Sequence, residues 1–220
     1  MKRADFVKLV DHTILAPQAG VEQVRAAASD AVTAGCASVC VNSARVATVA
    51  PLLVYSDVKL CTVIGFPFGS VLTDAKVAEA RAATQDGANE FDMVLNIGSL
   101  IDGDTRAVER DISAVHAVIP LGALLKVILE TSALSPPQIV AACLASEAAG
   151  ADFVKTSTGF HPSGGATTEA VRLMRKTVPN LGVKASGGIR TLATAQEMLD
   201  AGASRLGMSA TLAVLDELND

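Results

Sequence analysis

No stretch of this sequence reaches the ~18 uninterrupted apolar residues that a membrane-spanning helix requires, although half of its 220 residues are hydrophobic. Nor is there a basic block. The net charge of −5 comes from acids and bases scattered along the chain, which excludes the electrostatic footprint of a nucleic-acid or anionic-membrane binder. The first residues, MKRADFVKLVDHTILAPQ, interrupt their apolar positions with Asp5, Lys8 and Asp11. They lack the apolar core of a signal peptide, so a cytoplasmic location is expected. Tryptophan is absent and only 19% of the residues are charged, a balance that suits one compact domain over residues 1–220 with a large core. The expected partner is a small soluble molecule.

The four cysteines, Cys36, Cys40, Cys61 and Cys143, include no CxxC pair and fall inside expected strands and helices. That pattern disfavours disulfides and zinc and fits reduced, packed thiols; Cys40 is kept open as a functional exception. His12, His116 and His161 lie far apart on different elements, so they read as packed or loop histidines and no metal is expected.

What is present is a repeat. AVTAGCASVCV (31–41), ATQDGANEFDMV (83–94), ASEAAGADFVKT (145–156) and MLDAGASRLGMS (198–209) each read as a helix end, a capping glycine, a small residue and a strand. The glycines recur at 35, 87, 150 and 202, leaving room for two strand–helix units between each pair. Further strands are expected around VKLVDHT (7–13), KLCTVIGF (59–66), LLKVILE (124–130) and GVKASGG (182–188). Helical patterns fill 18–34, 43–54, 73–86, 104–118, 135–149, 167–178, 191–201 and 210–218. Eight strands alternating with eight helices predict a single (β/α)8 TIM barrel. An open doubly wound sheet is the weaker architecture, because no GxGxxG follows the first strand.

Five residues after each repeat glycine stand Cys40, Asp92, Lys155 and Gly207. Barrel interiors fill in layers drawn from alternate strands, so these four are expected to point inward together. An acid then faces a base near the carboxyl ends of the strands, where TSTG and NIG follow and where such barrels hold their active sites. Lys126 and Lys184 share the inward parity, which sets three ammonium groups against one nearby carboxylate. A buried ion pair needs no such surplus. Crowded, partly desolvated lysines favour the neutral amine that condenses with a carbonyl, and the protonated imine withdraws electrons from a breaking carbon–carbon bond. Aldol chemistry is the simplest use, with Asp92 and a second lysine moving protons. The ends ASGGIR and LGMSATL place Gly187, Gly188, Gly207 and Ser209 where barrels often bind phosphate.

VDHTIL, CTVIGFPFG, NEFDMVLNIG, LLKVILE, VKTSTGF and LGVKASGGIR, in this order over nearly the whole chain, resemble the deoxyribose-phosphate aldolase family of class I aldolases. That family interconverts 2-deoxyribose 5-phosphate with glyceraldehyde 3-phosphate and acetaldehyde. The resemblance implies a (β/α)8 barrel without metal or organic cofactor, in which Lys155 forms the Schiff base, Lys184 favours its neutral form and Asp92 belongs to the proton relay. It implies that Gly159, Gly187, Gly188, Arg190, Gly207 and Ser209 surround the phosphate. Cys40 resembles a pocket cysteine, and Asp11, Thr13 and Lys126 resemble supporting polar residues. A homodimer or homotetramer is left open.

The chain departs from the common family pattern at Ala16, where many members carry lysine, and at Ala210, where a second phosphate-binding serine is frequent. No tyrosine lies near the C-terminus; the single tyrosine is Tyr55, expected on an outer helix. Three further readings stay open: another sugar-phosphate aldolase, a transaldolase, and a non-catalytic sugar-phosphate-binding barrel.

Overall fold

The computed structural model describes residues 1–218. Eight parallel strands close on themselves in sequence order: β1 Val10–Ile14, β2 Ser38–Val41, β3 Lys59–Ile64, β4 Glu90–Val94, β5 Leu124–Ile128, β6 Phe153–Lys155, β7 Gly182–Ser186 and β8 Arg205–Met208. The helices are α1 Arg3–Val7, α2 Val21–Ala34, α3 Val46–Leu53, α4 Thr73–Gln85, α5 Ile97–Ile101, α6 Thr105–His116, α7 Pro136–Ala148, α8 Thr168–Thr177, α9 Leu192–Asp200 and α10 Thr211–Asp216. The fold is a (β/α)8 TIM barrel. The strands are buried on both faces, as crossover helices require; β2 and β4 have no exposed residue.

The repeat seen in the sequence is a repeated way of ending helices. Gly35, Gly87, Gly150 and Gly202 all have positive φ, between 77 and 111°. In each case the next residue returns its N–H to the carbonyl five residues back: Cys36 to Ala31, Ala88 to Ala83, Ala151 to Ser146 and Ala203 to Met198, at 2.9–3.0 Å. This is the closure that satisfies the last carbonyls of a helix. It sends the chain directly into the even-numbered strands. Helix starts are capped as the sequence suggests, with Thr167 and Thr191 accepting from Ala170 and Thr194, and Ser135 sharing a reciprocal cap with Gln138 ahead of two prolines.

The expectation of a first strand over 7–13 is corrected. Residues 3–7 form α1, and pairing with β2 and β8 begins at Val10. Val7 and Leu9 alternate about Lys8 as a strand would, but Phe6 and Val7 are adjacent and both buried from a helical turn. Arg3 ties that turn to α10 by donating to the Leu215 carbonyl at 2.6 Å. The chain also forms α5, which the sequence reading left as loop; Asn96 caps it by accepting from Ser99. Tyr55 lies past the end of α3 and is fully exposed.

Because Phe6 is completely buried, Phe6→Ala should lower the unfolding free energy by about 3–5 kcal/mol, read from urea denaturation. A loss below about 1 kcal/mol would show that α1 is dispensable to the core.

Candidate active site

Inside the barrel, Asp92 on β4 is the meeting point of three ammonium groups. Its Oδ2 lies 2.7 Å from Lys155 Nζ and 2.6 Å from Lys184 Nζ, and its Oδ1 lies 2.9 Å from Lys126 Nζ. The even-strand layer is therefore not closed to the odd strands. Lysine stems are long enough for Lys126 from β5 and Lys184 from β7 to reach the same carboxylate as Lys155 from β6. Gly207 leaves space for this: a Cβ there would stand 3.1 Å from Lys184 Cε.

Below Asp92 the charges continue. Lys184 lies 2.5 Å from Asp11 and Lys126 lies 2.6 Å from Glu90, and Arg205 closes the ladder at 2.7 Å from Asp11 and 3.4 Å from Glu90. The sequence reading of three ammonium groups against one carboxylate is corrected: four cations face three carboxylates. Glu90 and Arg205 were missed although a signal existed, since each stands two residues before an inward position, Asp92 and Gly207, and so shares its parity.

These neighbours decide the charge states. Burial alone would raise Asp92, but Lys126, Lys155 and Lys184 outweigh it and hold the carboxyl well below the usual range. Asp11 is likewise held down, against burial, by Lys184, Lys126 and Arg205. Burial would also deprotonate Lys126 and Lys184, yet the facing carboxylates hold both above the usual lysine range. Both are fixed as ammonium.

A cavity of about 310 Å³ opens at the carboxyl ends of the strands. Lys155, Thr13, Gly159, Gly187, Gly188, Arg190, Gly207 and Ser209 all line it, together with Thr158, Phe160 and Ser186. Lys126, Lys184, Asp92 and Asp11 do not; they lie beneath, fully buried. Among the three lysines, only Lys155 reaches the cavity. Its strand end is held firmly: Thr156 N–H donates to the Lys184 carbonyl at 3.0 Å, and the Thr156 hydroxyl donates to the Ser186 carbonyl while accepting the Ser186 N–H, both at 3.0 Å.

On the other side of the cavity, Gly187 and Gly188 have φ of 89 and 85°. Gly165 packs so closely on Gly187 that a Cβ on Gly165 would fall 2.2 Å from the Gly187 carbonyl oxygen, so both backbones must be bare. Arg190 and Ser209 are exposed on the rim, whereas Ala210 lies at the start of α10 and is not part of the cavity wall.

Cys40 is fully buried beside Leu15, Cys61, Val63 and Phe66, behind the cavity rather than on its wall. Contact with Cys61 pulls its thiol below the usual value despite burial, while burial pushes Cys61 well up. Cys36 and Cys143 are buried free thiols, each pushed up to about 12 by burial. His12 points away from the barrel interior to Thr211, His116 packs on Gly150, and His161 accepts the Ser163 N–H.

The geometry is that of a single amine presented to a small cavity above a layer of buried ion pairs. A family model described as DeoC/LacD family aldolase matches residues 6–216. The chain belongs to that aldolase family. It is 52% identical to a deoxyribose-phosphate aldolase of Kocuria rhizophila, covering 99% of this chain and 98% of that one. It is 49% identical to one of Corynebacterium diphtheriae, covering 99% of both. Among solved structures, the tetrameric deoxyribose phosphate aldolase of Aeropyrum pernix superposes with a TM-score of 0.91 at 33% identity, covering 98% of this chain and 91% of that one.

Within this aldolase framework a cation finds poor ligands. Donor atoms of Cys40, Cys61 and Asp92, and of Asp11, Cys61 and Glu90, approach one another within 4.8 Å. Their carboxylates are already engaged by lysine and arginine, whose charge would repel a metal ion. No helix among the described residues is long and apolar enough to cross a membrane.

Asp92 and Asp11 titrate below their unfolded values, so their contribution to stability is complete above about pH 4 and is lost as pH falls toward the folded values. Lys126 and Lys184, raised above theirs, lose their contribution only at the alkaline extreme. Asp92→Asn should therefore be less stable than the parent at neutral pH but lose less further stability between about pH 5 and about pH 3, measured by urea midpoints. Equal acid slopes in the two proteins would remove Asp92 from this linkage.

Proposed function

We propose that the chain catalyses the reversible aldol cleavage of 2-deoxy-D-ribose 5-phosphate to D-glyceraldehyde 3-phosphate and acetaldehyde through an imine on Lys155. The observation that carries this reading is that Lys155 is the one lysine of the cluster that lines the cavity, while Lys126 and Lys184 are buried and held charged. The naming of the relatives from Kocuria and Corynebacterium as deoxyribose-phosphate aldolases supports the same substrate.

The geometry supports the following steps. Loss of one proton from Lys155 leaves three cations facing three carboxylates, a balanced interior. The free amine adds to the sugar aldehyde at C1, and loss of water gives the protonated imine. A base takes the proton from the C3 hydroxyl, the C2–C3 electrons move toward the iminium nitrogen, and glyceraldehyde 3-phosphate departs. Asp92, 2.7 Å from Lys155, is placed to relay that proton through water and, with Lys184, to return one to the enamine carbon. Hydrolysis then frees acetaldehyde and Lys155. The imine itself accepts the electrons, so the reaction calls for no metal or organic cofactor.

Backbone N–H groups around Gly187 and Gly188, with Gly159, Gly207, Ser209 and Arg190 nearby, are the proposed surroundings of the phosphate. Energy gathered there would position the reacting carbon. A cytoplasmic location suits the four unpaired thiols. A homo-oligomer is proposed from the tetrameric Aeropyrum relative.

Lys155→Arg keeps a cation beside Asp92 but cannot form an imine, so cleavage should fall by at least about a thousandfold with the fold intact by circular dichroism. Acetaldehyde with borohydride should add one reduced two-carbon group, located on Lys155 by peptide mass. An adduct on another lysine, or substantial turnover by the arginine variant, would overturn the assignment.

A further inference from the structure

Glu130 follows the end of β5 in a backbone conformation that glutamate seldom adopts. Its φ of 59° and ψ of 57° are left-handed, and it is the one non-glycine residue with positive φ among the described residues. A side chain there meets its own carbonyl, a cost glycine avoids. The carboxylate is also almost completely buried, at 1% exposure. None of the ion pairs among the described residues includes it. A strained backbone and a buried carboxylate without a cation are two costs at one position. Nothing in the charge ladder under Lys155 uses this residue.

Its bonds go to the cavity wall. One carboxylate oxygen accepts the Thr158 hydroxyl at 2.5 Å, and both lie 3.3 Å from the Thr158 N–H. The Thr158 oxygen in turn accepts the Phe160 N–H at 3.1 Å, which folds residues 158–160 into a tight turn. On either side of Glu130, Leu129 donates to the Lys155 carbonyl and Thr131 to the Thr156 carbonyl, each at 2.9 Å. The left-handed residue thus sits between two bonds that fasten β5 to the strand bearing Lys155. Thr158, Gly159 and Phe160 all line the cavity, and a Cβ on Gly187 would lie 3.5 Å from the Gly159 Cα. A displacement at Thr158 would pass to Gly159 and from there to Gly187.

We propose that Glu130 is a positioning residue: through Thr158 it sets the 158–160 wall against Gly187 and so fixes where the phosphorylated sugar lies relative to Lys155. This rests on the aldolase reading above, with the phosphate held near Gly187. Glu130 touches no reacting atom. Its effect should therefore appear in substrate placement and not in the ability of Lys155 to form an imine.

The test uses Glu130→Gly, which removes the carboxylate while relieving the backbone, Glu130→Gln, which keeps an acceptor for Thr158, Thr158→Val, and the Glu130→Gly/Thr158→Val double variant. Glu130→Gly should raise KM for deoxyribose 5-phosphate by about tenfold or more. It should leave KM for unphosphorylated deoxyribose within about twofold. Glu130→Gln should recover most of the loss, and the double variant should be no worse than the poorer single one. Hydrogen exchange at residues 158–160 should accelerate in the glycine variant. Equal loss on both sugars, additive losses in the double variant, or unchanged exchange at 158–160 would overturn the proposal. Failure of the wild-type protein to trap acetaldehyde on Lys155 would instead overturn the aldolase reading, and hydrogen exchange would still decide whether Glu130 holds the wall.

Discussion

The interior of this barrel is organised by one carboxylate. Asp92 accepts from three lysines on three successive strands, and their stems occupy the space that a purely apolar barrel would fill with branched side chains. Removing charges from water is costly, and a buried ion persists only where its partners are close and its geometry is satisfied. The neighbouring choices follow from that demand. Asp11 and Glu90 offset the second and third ammonium groups, Arg205 seals the far end, and Gly207 leaves the volume through which Lys184 reaches upward. The outer shell supports the same centre: Lys76, buried on α4 beside Asp111 of α6, donates to the last carbonyl of β4 at 2.9 Å. That bond fixes the end of the strand carrying Asp92.

Depth separates Lys155 from the other two lysines of the cluster. Lys126 and Lys184 are each enclosed by carboxylates and sealed from the cavity, so their charge is structural. Lys155 has the same side chain and the same acceptor, but it also lines the cavity at the carboxyl ends of the strands. Position along the barrel axis, not residue type, distinguishes it from the other two.

Much of this was legible in the sequence, and the failures have identifiable causes. Strand parity placed Asp92, Lys155, Lys126 and Lys184 inside, because a period of two is imposed by the pleat and survives any change of neighbour. Adjacency across the barrel was not legible. Asp11 faces Ser38 and Gly207 in the backbone register, yet its carboxylate meets Lys184 of β7; strand stagger determines that, and no local pattern encodes it. Glu90 and Arg205 carried the correct parity but were not singled out, because they stand one step further from the loop residues that mark the carboxyl ends of the strands. Glu130 was invisible for a different reason, since a left-handed residue is inferred from glycine or asparagine and here neither marks the bend. The N-terminal turn was misread because a short helix and a short strand can present the same few apolar positions.

The four helix closures that lead into the even strands have a consequence for how this chain can vary. From each capping glycine to the inward residue of the strand is a fixed count of five, and the closure pins the first of those residues while the sheet pins the last. One residue added between Gly150 and Lys155 would reverse the parity of β6, turning the amine out among the helices and Val154 into the charged interior. The opposite mouth of the barrel has no such ruler, as the long excursion from Thr156 to Thr167 shows. Added length in these four units is thus tolerated only beyond the strand, at the end that carries the cavity.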